Sequence, residues 1–165
     1  MPFRLVSERP EHERDIVSAL DRAFGPGRFA KTSERVRERG AVLEPGLSRV
    51  ALDEKGAVLG CCRIWRIGVG EAQAFFLGPL AVDPVAQHGG VGLALARDAT
   101  AACRAVGGGC VILVGALAFF KPLGFLVAPR GQIVMPGPVD PDRLLWLELA
   151  PGGLDKISGA IGAPS

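Results

Sequence analysis

Hydrophobic residues at the start of the chain follow first a strand pattern and then a helix pattern. Apolar side chains alternate with a polar one across Phe3–Val6, which predicts a first strand. Ile16, Leu20 and Phe24 then recur every fourth residue, which is the spacing of one helix face. A second helix is predicted over Phe29–Glu38. The chain is therefore expected to open with one strand and two helices.

Three strands joined by short turns are predicted next. They cover Ser48–Leu52, Ala57–Trp65 and Gln73–Val82, which are rich in apolar and β-branched residues. The connecting segments 53–56 and 68–71 combine glycine with charged residues, a composition typical of turns. Strands with connections this short pair antiparallel. A meander is therefore expected in the middle of the chain.

Gly78 and Pro79 interrupt the last of these strands. A proline has no N–H to donate to a strand ladder, so it belongs at an edge, a bulge or a place where strands separate. A structural accident is one reading of this pair. The other is a strand opened here so that its backbone groups can reach a ligand.

A helix between two apolar strands is predicted in the second half of the chain. The helix covers Gly90–Val106, and the apolar run Cys110–Val114 is typical of a strand covered on both faces. Strand, helix and buried strand form a βαβ unit with a parallel strand pair. Shorter elements are expected at 116–123, as a helix, and at 124–127, 132–135 and 144–149.

Composition and charge limit the classes of function. The chain has 165 residues, 48% of them hydrophobic and 22% charged, and a net charge of +2. This length fits one domain over residues 1–150, and residues 151–165 form a Gly-rich tail expected to be partly mobile. The small net charge argues against nucleic acid or an anionic membrane as a partner. The charged residues of one segment are interpreted as a solvated helix face rather than a binding patch: Arg28, Lys31, Glu34, Arg35, Arg37, Glu38 and Arg39.

The cysteines and the first residues bear on metal binding and location. Cys61, Cys62, Cys103 and Cys110 lie in apolar segments without a C-x-x-C pair, which indicates buried, reduced thiols and no metal site. No apolar run is long enough for a membrane span. The first eight residues lack the apolar core of a signal peptide. A cytoplasmic location is therefore expected.

The glycine-rich turn Gln87–Gly92 is the most informative motif. It follows an apolar strand and opens a long helix, so several backbone N–H groups can converge at the positive end of the helix dipole. That arrangement suits a diphosphate. No Lys-Ser or Lys-Thr follows the turn, which excludes a P-loop.

Three segments resemble the GNAT superfamily of N-acetyltransferases. Leu80–Pro84 resembles the end of that family's fourth strand, Gln87–Gly92 its pyrophosphate loop, and Phe119–Phe125 a segment that usually reads Tyr-x-x-x-Gly-Phe. With the order of elements, the resemblance extends over residues 3–149. It implies a mixed α/β fold, with a mostly antiparallel sheet flanked by helices and splayed between the fourth and fifth predicted strands, 73–82 and 110–114.

The resemblance also implies residue roles. Acetyl-coenzyme A (acetyl-CoA) would be the acyl donor. The backbone N–H of Leu80 would polarise its thioester. No metal is implied. The residues implied in coenzyme binding are Leu80, Ala81, Val82, Gln87, His88, Gly89, Gly90, Val91, Gly92, Leu93, Phe119 and Phe120.

The sequence lacks the residue that the family usually uses for proton transfer. Where the family often has a Tyr to protonate the leaving thiolate, this chain has Phe120, and it contains no Tyr at all. Glu71 is either a proton acceptor or a solvated turn residue, and His88 either acts on a proton or faces solvent or the diphosphate. Cys61 and Cys62 alternate between the faces of a strand, so they either belong to the core or place one thiol in the acceptor cleft as a nucleophile. Asp83 is interpreted as a turn cap, and Trp65 and Phe75 as core or as a wall of the acceptor site.

Three functions are compatible with these patterns. The first is an N-acetyltransferase acting by direct attack of a primary amine of a small molecule or protein. The second is a GNAT-fold module that binds acyl-CoA with weak or no catalysis. A dinucleotide-binding domain is disfavoured because the glycine-rich turn follows antiparallel strands. Acceptor loops are expected at 25–40, 67–71 and 128–142. The sequence is compatible with a homodimer and does not determine the oligomeric state.

Overall fold

A computed structural model describes residues 2–25, 27–28 and 31–165. The predicted helices and strands occur in the predicted order. The helices are α1 (Glu13–Phe24), α2 (Thr32–Glu38), α3 (Val91–Ala105) and α4 (Leu117–Phe120), with 3₁₀ turns at 10–12, 84–86, 121–123 and 141–143. The strands are β1 (Arg4–Ser7), β2 (Val42–Leu43), β3 (Arg49–Leu52), β4 (Val58–Val69), β5 (Ala72–Val82), β6 (Cys110–Val114), β7 (Leu126–Val127), β8 (Ile133–Val134), β9 (Leu144–Glu148) and β10 (Gly159–Gly162).

The strands form one mixed sheet in the order β1-β3-β4-β5-β6-β9-β7. The pair β5–β6 is parallel, as the βαβ unit predicts, and its neighbours in this order are antiparallel. Residues of α3 such as Leu95 and Ala99 pack on one face of the sheet with Ile64 and Leu77, all fully or nearly fully buried. The predicted fold class is confirmed, including the splay between β5 and β6.

Several boundaries differ from the predicted ones. The hairpin of β4 and β5 is longer, because their pairing continues to Val69 and Ala72 and leaves only Gly70 and Glu71 in the turn. The second helix begins at Thr32, and Phe29 lies outside the described residues.

The C-terminal segment, expected to be a partly mobile tail, contributes a strand. Residues 159–162 form β10, which pairs antiparallel with the end of β4 and parallel with β8. Ile161 is buried against this sheet. Gly159–Gly162 reads Gly-Ala-Ile-Gly, which has little of the β-branched and aromatic character that marks a strand in a sequence.

Candidate active site

A cleft of about 650 Å³ opens where β5 and β6 separate. The two strands pair at Phe75–Val111 and Phe76–Ile112 and diverge beyond these residues. The predicted coenzyme-binding residues that line the cleft are Leu80, Ala81, Val82, Gln87, His88, Gly90, Val91, Gly92, Leu93, Phe119 and Phe120. The remaining one, Gly89, belongs to the same turn without lining the cleft.

A β-bulge in β5 lies at the cleft. Gly78 and Pro79 together face the single residue Arg63 of β4, because the register shifts by one residue there. The peptide bond between Gly78 and Pro79 is cis, and Gly78 has a φ of 139°, which favours glycine. Nε1 of Trp65 donates to the Gly78 carbonyl at 2.6 Å. The break that the sequence predicts here is therefore a bulge anchored to β4.

Backbone groups of Leu80 and Val82 face the cleft. The Asp83 N–H donates to the Leu59 carbonyl at 2.7 Å, which makes the adjacent pair Val82–Gly60 a non-hydrogen-bonded one. The two kinds of pair alternate along an antiparallel ladder, so Leu80 lies in the next non-hydrogen-bonded pair. The N–H and C=O groups of both residues therefore point away from β4, toward the edge of β5 that is no longer paired with β6.

The glycine-rich turn exposes N–H groups at the start of α3. Gly90 precedes the helix with a φ of 79°, and the first helical hydrogen bond runs from the Ala94 N–H to the Gly90 carbonyl at 3.1 Å. Within the described part of the chain, the N–H groups of residues 91–93 have no backbone acceptor. They lie at the positive end of the helix dipole and border the cleft, which suits an anion.

Gly92 brings α3 close to the other walls of the cleft. A Cβ atom at this position would lie 3.3 Å from Cζ of Phe119 and 3.4 Å from Cγ2 of Val82. A side chain here would therefore press on the Phe119 ring and lie in contact with Val82. Phe119 is 40% exposed at this point, so its ring is available to a ligand that enters the cleft.

Charged residues between α1 and α2 form the wall of the cleft beside the bulge. The interpretation of this segment as a solvated face is wrong for Arg37 and Glu34, whose side chains are only 8% and 18% exposed. Nη2 of Arg37 donates to Oε2 of Glu34 at 2.6 Å. Burial lowers the pKa of Arg37, against the opposing effect of Glu34. The other polar residues of this wall are Arg28, Lys31 and Ser33.

The burial of Glu34 and Arg37 in this wall is not predictable from the sequence. Helix periodicity shows which residues share a face, but it does not show what covers that face. The nearest signal is the predicted acceptor loop 25–40, which contributes Arg28, Lys31, Ser33, Glu34 and Arg37 to the cleft. Residues 67–71 and 128–142, the other two predicted acceptor loops, do not line it.

Comparison with known proteins gives the family. The sequence profile of the acetyltransferase (GNAT) family matches residues 14–125, about two thirds of the chain. The chain belongs to the GNAT family of acetyltransferases. No curated protein matches the sequence.

Solved structures of GNAT proteins share this fold. The GNAT family N-acetyltransferase YhbS from Escherichia coli, solved in complex with CoA, has a TM-score of 0.81 at 23% identity, over 98% of this chain and 89% of that one. A GNAT family acetyltransferase from Brucella melitensis, in complex with acetyl-CoA, has a TM-score of 0.61 at 25% identity, over 89% and 96%. Arylalkylamine N-acetyltransferase 2 from Aedes aegypti has a TM-score of 0.64 at 14% identity, over 91% and 100%.

In this GNAT chain, Phe120 stands where the family resemblance places a Tyr. Its ring packs edge-on against Phe119 and Phe125, with centroids 4.8 and 5.6 Å away. The residue is 7% exposed and still contributes to the cleft wall. The ring carries no hydroxyl group, and the chain has no Tyr elsewhere.

The other candidates for proton transfer are placed differently. Glu71 is exposed in the β4–β5 turn and does not line the cleft. Cys61 and Cys62 are fully buried in β4, where burial raises the pKa of Cys61 to about 12 and that of Cys62 well above its ordinary value. His88 lines the cleft within the glycine-rich turn. Of these four residues, only His88 borders the site.

Asp83, Trp65 and Phe75 have structural contacts. The carboxylate of Asp83 accepts from the Val85 N–H at 3.1 Å, which confirms the predicted turn cap, and it also pairs with Arg22 at 2.9 Å. Trp65 and Phe75 do not line the cleft, and both pack half-buried against the core clusters. The core reading therefore holds for both aromatic residues.

Residues 2–25, 27–28 and 31–165 contain neither a metal-binding cluster nor a membrane-spanning helix. No three His, Cys, Asp or Glu side chains in these ranges are grouped so that they could hold a metal ion. Within the same ranges, no helix has the length and apolar character needed to cross a membrane.

Proposed function

We propose that this GNAT protein transfers an acetyl group from acetyl-CoA to a primary amine of a small molecule or protein, by direct attack of the amine on the thioester. The observation that carries the proposal is the unpaired edge of β5. There the backbone groups of Leu80 and Val82 face a cleft that also borders the N-terminus of α3. The CoA and acetyl-CoA complexes of the E. coli and B. melitensis structures support the choice of donor.

The cleft offers each part of the donor a suitable partner. The open edge at Leu80 and Val82 can pair with the amides of the pantetheine arm, as an added strand would. The N–H groups of residues 91–93 can hold the diphosphate at the helix terminus. Phe119 supplies an exposed ring beside them. The pairing with the pantetheine arm and the binding of the diphosphate use main-chain atoms, so they depend on the fold more than on side-chain identity.

Acetyl transfer also needs proton management. An alkylamine with a pKa near 10.4 is neutral in only about one molecule in 10³ at pH 7, so the acceptor must lose a proton before it attacks. The Leu80 N–H would stabilise the oxyanion as the C–N bond forms. When the C–S bond breaks, the thiolate would take its proton from solvent, since the chain has no Tyr to give one.

One observation favours a second candidate, a GNAT-fold module that binds acyl-CoA without efficient catalysis. Phe120 removes the usual acid, and general acid catalysis contributes about 10²–10⁴ in rate. Both candidates require donor binding, and only the first requires turnover. The experiment therefore measures the two separately.

The first experiment is calorimetric titration of acetyl-CoA into the protein and into Gly90→Glu. Gly90 has a φ of 79° and Gly107 one of 81°, and neither has an atom within 4 Å of an added Cβ. They lie beyond opposite ends of α3, whose 15 residues span about 22 Å at the helical rise. Gly107→Glu therefore carries the same backbone strain and charge far from the diphosphate, and it serves as the matched control.

Saturable binding by the wild type and Gly107→Glu, lost in Gly90→Glu, is the expected result. Binding that survives in Gly90→Glu would contradict the assignment of the turn. An acceptor screen with CoA release as its readout then separates the two candidates. Turnover with any amine above the hydrolysis background supports the transferase. Binding without turnover across a broad screen supports the module.

A further inference from the structure

Glu34 and Arg37 lie at the reacting end of the cleft. Nη1 of Arg37 is 3.4 Å from the position that a Cβ on Gly78 would occupy. Gly78 is four residues before Val82 in β5, which corresponds to about 13 Å of strand. The guanidinium is therefore beside the bulge and near Leu80, and it is too far along the strand to serve the diphosphate.

Both members of the Glu34–Arg37 ion pair can form further hydrogen bonds. Nη2 of Arg37 and Oε2 of Glu34 are joined at 2.6 Å, and no other hydrogen bond to either side chain is found within the described ranges. A guanidinium has five N–H donors, and a carboxylate has a second oxygen that accepts. Both residues line the cleft, where Glu34 is the one carboxylate among the described lining residues. An open donor thus lies next to an open acceptor.

We propose that the acceptor is an amino acid, with its carboxylate bound by Arg37 and its ammonium group bound by Glu34. This inference rests on the proposed acetyltransferase function and specifies its substrate class. A guanidinium binds a carboxylate through a planar fork, and a zwitterion matches an adjacent cation and anion. An amine without a carboxylate would displace water from Arg37 and leave its open N–H groups without an acceptor, which costs binding free energy.

The same arrangement accounts for the protons. The ammonium group of the amino acid gives one proton to the Glu34 carboxylate and becomes a neutral amine. Its nitrogen forms a bond to the acetyl carbon, the C–S bond breaks, the nitrogen loses its second proton to solvent, and the thiolate sulfur takes a proton from solvent. The products are the N-acetyl amino acid and CoA thiol, and the proton on Glu34 returns to solvent.

Matched acceptor pairs test the inference. Each pair joins an amino acid to its decarboxylated amine: phenylalanine and phenethylamine, alanine and ethylamine, histidine and histamine, ornithine and putrescine. We expect kcat/KM to be higher for the carboxylate-bearing member of at least one pair by about 10- to 100-fold, the range of a hydrogen bond to a charged group. A preference of this size should lie mainly in KM.

Variants of α2 test whether Arg37 causes the preference for the carboxylate-bearing acceptor. Arg37→Gln is expected to bring the ratio of kcat/KM within the preferred pair toward one, and Arg37→Lys to restore part of it. Arg35→Gln is the matched control, because Arg35 is exposed on the same helix and does not line the cleft. Arg37→Gln alone leaves the Glu34 carboxylate without its cation and could unfold the protein. The double variant Glu34→Gln/Arg37→Gln removes both charges, so it tests the loss of Arg37 without an unpaired buried charge. Thermal unfolding and acetyl-CoA titration confirm that each variant is folded and binds the donor.

The outcomes separate this inference from the proposed function. If both members of every active pair react equally, or the amines react better, the amino acid assignment is wrong and the acetyltransferase stands. If the preference survives in folded Arg37→Gln, the carboxylate is recognised elsewhere and the assignment of Arg37 is wrong. If no acceptor of either kind reacts, the proposed function itself fails, and this inference fails with it.

Discussion

Trp65 Nε1 lies 2.6 Å from the carbonyl oxygen of Gly78, and this hydrogen bond ties β4 to the bulge of β5. We expect Trp65→Phe to lower the free energy of unfolding by about 1–3 kcal/mol, since a partly buried carbonyl loses its donor. The bulge would then be less well held next to Leu80. Because small displacements of reacting groups are costly, kcat/KM should fall by up to about 100-fold.

The second tryptophan provides the control for this prediction. Trp146 is buried in β9, which pairs with β6 and β7 and not with the bulged strand. Trp146→Phe should reduce stability in urea unfolding while the remaining folded protein keeps its kcat/KM. If the two variants lose activity only in proportion to stability, Trp65 does not position the bulge.

Phe120→Tyr is expected to raise kcat. The added hydroxyl would stand in the cleft wall where the chain has no general acid, and such an acid contributes about 10²–10⁴ in rate. Pre-steady-state measurement of CoA release gives the chemical step directly. Phe75→Tyr adds the same group to a half-buried ring that does not line the cleft, and it should leave the rate unchanged. A rate unaffected by Phe120→Tyr would mean that thiolate protonation is not limiting.

The buried ion cluster of Arg63 is expected to be essential for stability. Its Nη2 lies 2.7 Å from Glu8 and 2.5 Å from Glu13, and both Arg63 and Glu8 are less than 9% exposed. Arg63→Met would leave the Glu8 carboxylate buried without its cation, at a cost of about 3–5 kcal/mol. Urea unfolding measures this difference.

An exposed arginine on the same strand is the comparison. Arg66 pairs with Glu44, and its side chain is 50% exposed. Arg66→Met should therefore change the free energy of unfolding by no more than about 1 kcal/mol. Similar losses in the two variants would show that water screens the Arg63 cluster as well.

The buried thiols predict a pH dependence above neutrality. Burial raises the pKa of Cys61, Cys103 and Cys110 to about 12. A thiol with a higher pKa in the folded state holds its proton more tightly there. Its contribution to stability is complete below the unfolded pKa of about 8.5 and is lost as the pH rises from there toward 12. Thermal unfolding across this range should show the decline, with a shallower slope in Cys110→Ala.

The same shifts predict low thiol reactivity. Only the thiolate attacks a disulfide reagent, so the folded protein should not react with one at pH 8 on the timescale of a free thiol. All four cysteines should react once urea unfolds the chain. Rapid reaction of a single thiol in the native protein would show that its surroundings open to solvent.

The parts of the fold that depend on local chemistry are predictable from sequence. The glycine-rich turn before α3 needs glycine because Gly90 has a positive φ, and the break in β5 follows from the missing N–H of Pro79. Each of these two features can be recognised from a single residue in the sequence. The alternating and continuous apolar runs of β4, β5 and β6 likewise report the burial of each strand.

The parts that depend on distant contacts are not predictable in this way. Arg37 is buried because the bulge at Gly78 lies against it, some forty residues away in the chain. β2 and β10 are strands because both pair with the long β4. β2 has only two residues and β10 reads Gly-Ala-Ile-Gly, so neither sequence by itself indicates a strand. A sequence pattern describes a residue's own tendency, and these residues are defined by their neighbours.

The divergence of β5 and β6 also has a mechanical consequence. Two residue pairs, Phe75–Val111 and Phe76–Ile112, carry the backbone ladder between β5 and β6 in the described structure. A pantetheine arm lying along the open edge would continue that ladder beyond Phe76. The donor would then act as a missing strand that braces the two sides of the sheet, and the amides of β5 next to the cleft would exchange their hydrogens more slowly when it is bound.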